Sequence, residues 1–360
     1  MLSQERLAPL RAIGLTTPLV QAAWPLLAER PEAALARVVE VQREHLVLHD
    51  GAAEHMARLL PALRHDLDAA ADAVAVGDWV LAERNRFGER WVAARVPPLN
   101  QLARRLHDGR DKVERVVIVA NVDTALLVMG LDHDFNPRRM ERFLALARMA
   151  GVTPLVVLTK ADLCRDVDVR LAAARALLPV GAEAIALNAL GDEPRERLAP
   201  WLEAGQTLVL LGSSGAGKST LTNALVGADV QVTGANRDGD SRGRHTTTAR
   251  SLHRTADGAC IIDTPGLRTL RLDGDAAALG QVFDDVASAA LRCRFRDCRH
   301  QGEPGCAVRE AVTPERLRNF QKLQREAERD TMSALERKVQ VAQWKVRTRA
   351  ARARTNAKRG

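Results

Sequence analysis

Thr207-Leu208-Val209-Leu210-Leu211-Gly212-Ser213-Ser214-Gly215-Ala216-Gly217-Lys218-Ser219-Thr220 is an apolar, β-prone run that ends in the pattern G-x-x-x-x-G-K-[ST]. Its first five residues read as a buried parallel strand, and Ser219 to Leu225 read as the opening of a helix. Between strand and helix, glycines let backbone N–H groups turn inward around phosphate oxygens, and the helix N-terminus adds its partial positive charge. Lys218 supplies a point charge to the β- and γ-phosphates, and Ser219, with Thr220 beside it, a hydroxyl for Mg²⁺. A glycine- and serine-rich turn would fit the same letters. The strand before and the helix after are the context that a phosphate loop requires.

About forty-five residues further on, the strand Ala259-Cys260-Ile261-Ile262 runs into Asp263-Thr264-Pro265-Gly266, a D-x-x-G sequence. Asp263 at the strand's carboxyl end is placed to hold Mg²⁺ through a water, and the N–H of Gly266 to sense a γ-phosphate. About fifty residues before the loop, Leu155-Val156-Val157-Leu158 leads into Thr159-Lys160-Ala161-Asp162. The Asp of such a motif accepts two hydrogen bonds, from guanine N1–H and the exocyclic amine. Adenine lacks that donor pair and would leave a desolvated carboxylate unpaired, a discrimination of roughly 10²-fold or more. Lys160 is expected to lie over the base plane and tie back to the phosphate loop. Thr159 stands where Asn is usual, which leaves one base contact open. Ala184-Ile185-Ala186-Leu187-Asn188-Ala189 fits a last base-contacting loop whose N–H groups would meet guanine O6. There Asn188 stands where Ser is usual, and a strand with an ordinary turn fits equally well.

A fourth constellation is Cys293-x4-Cys298-x-His300-x5-Cys306. Four borderline-to-soft donors within fourteen residues suit tetrahedral Zn²⁺, and Gly302, Pro304 and Gly305 give the turns such a knot needs. Three of the five cysteines fall here, which argues against incidental clustering, and nothing marks the chain as secreted, which argues against disulfides. Cys164 and Cys260 stand alone and read as core residues.

The motif order is inverted. Ordinary guanine-nucleotide switches carry the phosphate loop first and the base motif late. Here the order is that of a GTPase cut between its switch strand and its third strand and rejoined at its old ends. With Gly243-Arg244-His245-Thr246-Thr247-Thr248 between loop and D-x-x-G, the chain resembles the circularly permuted bacterial ribosome small-subunit-dependent GTPase A family, from about residue 35 to about residue 330. The resemblance implies a switch that hydrolyses GTP, binds the small ribosomal subunit and its rRNA, assists late subunit maturation, and is stimulated by the subunit. It implies one structural zinc ion on the four residues named, and Mg²⁺ with GTP on Ser219 and Asp263. One of Thr246, Thr247 and Thr248 would fold over the Mg²⁺. Leu267 occupies the place of a water-orienting Gln, so the water falls to another group, and the resemblance points to His245. Two other classes stay open: a P-loop ATPase or small-molecule kinase, and an RNA-binding protein that uses nucleotide as a structural ligand.

The expected architecture is a multidomain α/β protein. Residues 1–33 form an irregular or partly helical lead-in punctuated by proline. Residues 34–110, with short β-like runs at Arg37–Val41, His45–His49, Val76–Ala82 and Trp91–Val96, suit a small barrel, which the resemblance makes an oligonucleotide-binding (OB-like) one. His55–Leu67 reads as a helical or loop insertion. Residues 111–275 alternate strands and helices, the mark of a mostly parallel sheet with its ligand site at the strands' carboxyl ends. Residues 276–335 form the helical zinc module and 336–360 a basic tail. The net charge of +8 over 360 residues fits an anionic partner, and the stretch from Lys345 to Gly360 holds seven Lys or Arg and no acid. With 3% aromatic residues and no tyrosine, contacts to phosphate and shape are favoured over base stacking. No apolar run approaches a membrane span, so the expectation is a cytoplasmic monomer without membrane contact.

Overall fold

Five strands between Ala34 and Arg95 close on themselves. β1 (Ala34–Val41), β2 (Leu46–His49), β3 (Glu54–Leu59), β4 (Trp79–Arg84) and β5 (Arg90–Arg95) lie in the order β1-β2-β3-β5-β4, and β4 pairs back onto β1. Val38, Leu48, Val80 and Val92 fill the interior, capped by Leu67 of α3 (Pro61–Ala69). The structure is a computed structural model that describes residues 4–107, 113–228, 230, 250–264 and 279–331. His245, Thr246, Thr247, Thr248, Pro265, Gly266, Leu267, the loop 234–244 and the basic tail lie outside the described residues. The insertion expected over His55–Leu67 proves to be most of strand β3 followed by α3. Of β3 only Ala57 is fully buried, so the segment lacks the apolar alternation that marks a strand.

The lead-in forms two helices, α1 (Gln4–Arg11) and α2 (Thr17–Glu29). Pro18 sits in the first turn of α2, where its missing N–H costs no hydrogen bond. Leu19 and Ala23 on α2 are buried.

Strand β6 (Gln101–His107) pairs antiparallel with β7 (Val113–Ala120) in a two-stranded ribbon outside the main sheet. Val116–Ala120 therefore does not join the parallel sheet, although its apolar run reads that way. Asn121 takes a left-handed φ of 55° and turns the chain between this ribbon and the next strand.

The second sheet region holds β8 (Thr124–Gly130), β9 (Thr153–Thr159), β10 (Glu183–Ala186), β11 (Thr207–Leu211), β12 (Ser251–Arg254) and β13 (Cys260–Asp263). Their order is β10-β9-β8-β11-β13-β12, all parallel except β12, which runs antiparallel to β13. Every residue of β8 and β11 is buried, as strands covered on both faces must be. Alternate residues feed two cores: Leu127, Met129, Val209, Leu211 and Ile262 one, Leu126, Val128, Leu208, Leu210 and Ile261 the other. The chain enters this sheet at β8 and, after α5 (Val167–Arg175), reaches its edge at β10. It returns through α6 (Glu193–Leu198) and a 3-10 turn, Ala199–Trp201, to β11. That crossing joins the old ends of the unpermuted fold.

α4 (Pro137–Met149) follows β8. The Asn136 side chain accepts the N–H of Arg139 at 3.1 Å and Pro137 occupies the first turn, so the helix starts where Asn-Pro predicts. Against α4 pack two C-terminal helices, α8 (Leu279–Val282) and α11 (Pro314–Thr331), with α9 (Asp284–Ala290) packed on α8 and α10 (Ala307–Ala311) on α9 and α11. The seam is polar. Arg316 donates to Glu141 at 2.5 Å and to Asp285 at 2.6 and 2.9 Å, Asn319 donates to Glu141, and Arg142 grips Glu326 at 2.6 and 2.7 Å. These partners explain a buried Glu141 on the apolar side of α4. Among the described residues, no helix is long and apolar enough to cross a membrane.

Barrel and parallel sheet meet in one pairing, Glu40 of β1 with Ser251 of β12, and around one side chain. Arg37 is wholly buried and donates to the carbonyls of Ile13, Gly77 at 3.4 Å and Asn121 at 3.2 Å, with its guanidinium 5.7 Å from the Trp79 ring. Gly77 has φ 94°, and a Cβ there would collide with the Ala120 carbonyl oxygen, so only glycine lets the barrel approach β7. Burial pulls the Arg37 pKa down, opposed by Cys260, Asp123 and Asp78. Replacing Arg37 with Met leaves buried carbonyls without a donor. Urea unfolding of Arg37→Met is expected to show a loss of about 2–4 kcal/mol.

Candidate functional site

β11 delivers Gly212–Gly217 to the carboxyl edge of the sheet, and α7 (Lys218–Val226) begins directly after it. Gly217 has φ 93°, and a Cβ there would stand 3.2 Å from Thr159 Oγ1, so backbone and packing both call for glycine. Lys218 Nζ folds over the loop and donates to the carbonyls of Gly212 at 3.0 Å and Ser213 at 2.8 Å. Ser214 and Gly215 form the exposed rim, while Ala216 is buried and Ser219 and Thr220 are half-buried on the first turn of α7.

Asp263 ends β13. Burial pushes its carboxyl up to about 6, against the pull of Lys218 and the Thr264 N–H. Asp263 Oδ1 is buried with no hydrogen-bond partner among the described residues. An orphan carboxylate oxygen near the phosphate-loop lysine fits a hydrated Mg²⁺, whose waters would satisfy it. Thr264 Oγ1 donates to Leu210 O at 2.6 Å and pins the start of D-T-P-G to β11.

The base motif lies beside the loop. Thr159 is fully buried and its hydroxyl donates to Ala216 O at 2.6 Å, so this side chain holds the phosphate loop and is turned away from solvent. Lys160 takes a left-handed φ of 60°, and its Nζ reaches Asp132 Oδ2 at 2.7 Å, where the sequence pattern predicts a tie to the phosphate loop. The Ala161 N–H donates to Leu187 O at 3.3 Å, which sets the motif against the Leu187–Ala189 turn. Asp162 is exposed on the 3-10 turn Ala161–Leu163. The N–H of Asn188 donates to Glu193 at 3.0 Å, and its side chain accepts from Leu190 N–H at 3.0 Å. Asn188 thus orders its own turn, and Ala189 follows it, buried.

Two residues of this site carry no signature in the sequence. Asp132 and Asp134 lie in the short turn Leu131-Asp132-His133-Asp134-Phe135, which reads as an ordinary polar link from β8 to α4. Asp134 accepts from Ser213 Oγ at 2.6 Å and from Gly130 N–H at 3.2 Å, and pairs with Arg139. Asp132 accepts from Lys160 and, at 2.9 Å, from Asp134 N–H. Partial burial raises the Asp132 pKa, but the Lys160 and Asp134 contacts outweigh it and hold the carboxyl below its ordinary range.

At the other end, the donor atoms of Cys293, Cys298, His300 and Cys306 lie within 4.8 Å of one another. His300 Nδ1 stands 3.7 Å from Cys293 Sγ and 3.4 Å from Cys306 Sγ. The Val308 and Ala307 N–H groups draw the Cys293 pKa down, which favours the thiolate a metal binds. Glu303 bends the loop beneath: its own N–H and those of Gln301, Arg299 and Gly302 hold its carboxyl down to about 2. This cluster could hold a metal ion, and three thiols with one imidazole suit zinc.

A family model described as RsgA GTPase matches residues 98–273, and one described as 50S ribosome-binding GTPase matches residues 207–349. The small ribosomal subunit biogenesis GTPase RsgA of Xanthomonas axonopodis pv. citri is 44% identical over 316 residues, 86% of this chain and 85% of that protein. The protein of the same name from Xylella fastidiosa is 43% identical over 336 residues, 90% of this chain and 96% of its own. Among solved structures, YjeQ from Thermotoga maritima shares the fold with a TM-score of 0.59 and 24% identity, over 82% of this chain and 98% of that one. YloQ, a circularly permuted GTPase, does so at 0.55 and 23%, over 84% and 97%. The permuted order of motifs along one sheet edge and the identity with curated relatives over most of the chain agree: this chain belongs to the RsgA GTPase family.

Proposed function

We propose that the chain is a GTP-hydrolysing switch that binds the small ribosomal subunit and its rRNA, assists late subunit maturation, and turns over when the subunit orders its switch loop. The observation that carries this reading is the meeting of phosphate loop, Asp263 and base motif at one sheet edge, reached in permuted order. The partner follows from the curated relatives, whose names specify the small subunit and whose similarity spans most of the chain. The description naming the 50S particle comes from a match to residues 207–349 alone and carries less weight. Gly212 to Thr220 would cradle the phosphates, with Lys218 neutralising charge that builds on them in the transition state. Asp162 would read the guanine edge and Ser219 and Asp263 would hold Mg²⁺. Mg²⁺ held there would supply charge that offsets the negative charge of the phosphates. Leu267 has no group to orient water, which leaves His245 for that role. The protein would work as a monomer in the cytoplasm.

The test is phosphate release from GTP and ATP, with and without purified small subunits. Slow GTP hydrolysis alone, strong stimulation by subunits and its loss at high salt are expected, with ATP inert. His245→Ala should bind GTP and subunits as wild type does and lose at least about tenfold of the stimulated rate. Indifference to subunits would leave a nucleotide-binding RNA protein, and equal use of ATP a general ATPase.

The four-donor cluster should retain one zinc ion per chain through purification without added metal. Cys298→Ser should lose it and loosen α9 to α11, read by metal analysis and limited proteolysis.

Asp263 sets a pH dependence. Its pKa is about 6, above the ordinary carboxylate value, so without bound metal the protein should lose stability as pH rises from about 4 through 6. Mg²⁺ needs the ionised form, so affinity for Mg²⁺-nucleotide should fall as pH drops below 6. Binding at pH 6 should release about half a proton from this group, measurable by calorimetry in buffers of different ionisation enthalpy. Asp263→Asn should abolish both effects.

A further inference from the structure

The turn between β8 and α4 touches both halves of the nucleotide site. Asp132 holds Lys160 of the base motif at 2.7 Å, and Asp134 holds Ser213 of the phosphate loop at 2.6 Å. The two carboxylates are tied to each other, because the Asp134 N–H donates to Asp132 Oδ1 at 2.9 Å. The turn is itself anchored. Arg170 donates to the carbonyls of Leu131 at 2.8 Å and Asp132 at 3.1 Å and lies 5.6 Å from the Phe135 ring. Arg139, in the first turn of α4, closes on Asp134.

We propose that Asp132 and Asp134 are positioning residues of the nucleotide site, one carboxylate holding the Lys160 ammonium and the other the Ser213 side of the phosphate loop. The inference rests on the guanine-nucleotide reading of the site. A half-exposed lysine–carboxylate pair adds little to folding stability. Its effect lies elsewhere: a lysine fixed by its ammonium has already lost the rotamer freedom that binding would otherwise remove. Immobilising a rotamer-rich side chain costs up to about a factor of ten in affinity. Asp134 does the same for the loop, since a hydroxyl on the second residue of the loop is held from outside. The two carboxylates act on Lys160 of the base motif and on Ser213 at the start of the loop, so GDP and GTP should respond alike, in affinity and dissociation.

The experiment is stopped-flow dissociation of fluorescent GDP and of a fluorescent non-hydrolysable GTP analogue from the full chain. Asp132→Asn and Asp134→Asn should each release both nucleotides about tenfold faster, by the same factor for the two. Asp132→Glu should recover most of the loss. The double variant D132N/K160M should be no faster than K160M alone, because Asp132 acts through Lys160. Thermal midpoint and bound zinc should stay at wild-type values, which separates positioning from folding. If D134N alone is destabilised, Ser213→Ala removes the same hydrogen bond from the loop side and should reproduce the faster release. Wild-type release rates in D132N and in S213A, or additive effects in the double variant, overturn the proposal. Failure of the wild type to bind GDP would instead overturn the site reading on which it stands.

Discussion

A guanidinium with no access to water has to find its hydrogen bonds in the protein, and Arg37 finds them in three separate stretches of chain. Ile13 belongs to the lead-in, Gly77 to the barrel, and Asn121 to the turn that starts the parallel sheet. Each carbonyl alone satisfies one edge of the guanidinium. All three are needed because a buried cation left half-solvated costs several kcal/mol. Lead-in, barrel and sheet are thereby held in one relative placement, and the lone strand pairing of Glu40 with Ser251 could not fix that placement by itself. Trp79 beneath the guanidinium and Gly77 against Ala120 complete a joint that tolerates little substitution.

From that joint the site follows by topology. A parallel sheet gathers its loops at one edge whatever the order in which the chain visits the strands. Cutting and rejoining the fold therefore leaves Lys218, Asp263 and the base motif side by side, as Thr159 on Ala216 shows. What the permutation changes is where the chain goes next. After β13 the C-terminal helices fold back onto α4 through a shared apolar cluster edged by ion pairs: Arg316 with Glu141 and Asp285, then Arg142 with Glu326.

Much of this was legible in the sequence, and unevenly so. β8, β9, β11 and β13 are apolar on both faces, and the Asn136-Pro137 start of α4 follows from capping chemistry alone. The strands without a clear signature are β3, β6 and β12, whose polar side chains interrupt the apolar pattern and which are held by pairing with the neighbouring strands β2, β7 and β13. The same asymmetry holds in the site. Phosphate loop and cysteine knot announce themselves because their chemistry needs fixed spacing. Asp132 and Asp134 do not, because a carboxylate in a turn looks the same whether it faces solvent or a lysine from another loop. In sequence Thr159 reads as a base contact, whereas its burial against Ala216 depends on a loop fifty-odd residues away.

The clamp of α11 on α4 fixes where the C-terminal helices sit relative to the sheet. Arg316 grips Glu141 and Arg142 grips Glu326, beside an apolar cluster that takes in Leu279, Phe283 and Leu323. Thr264 on Leu210 pins the end of β13 to β11 of the same sheet. Both anchors therefore belong to one packed body, and neither shifts without breaking contacts on the sheet it shares with the other. Loosening the seam at Glu141 would disturb the footing of the four-donor cluster as well as the helices themselves.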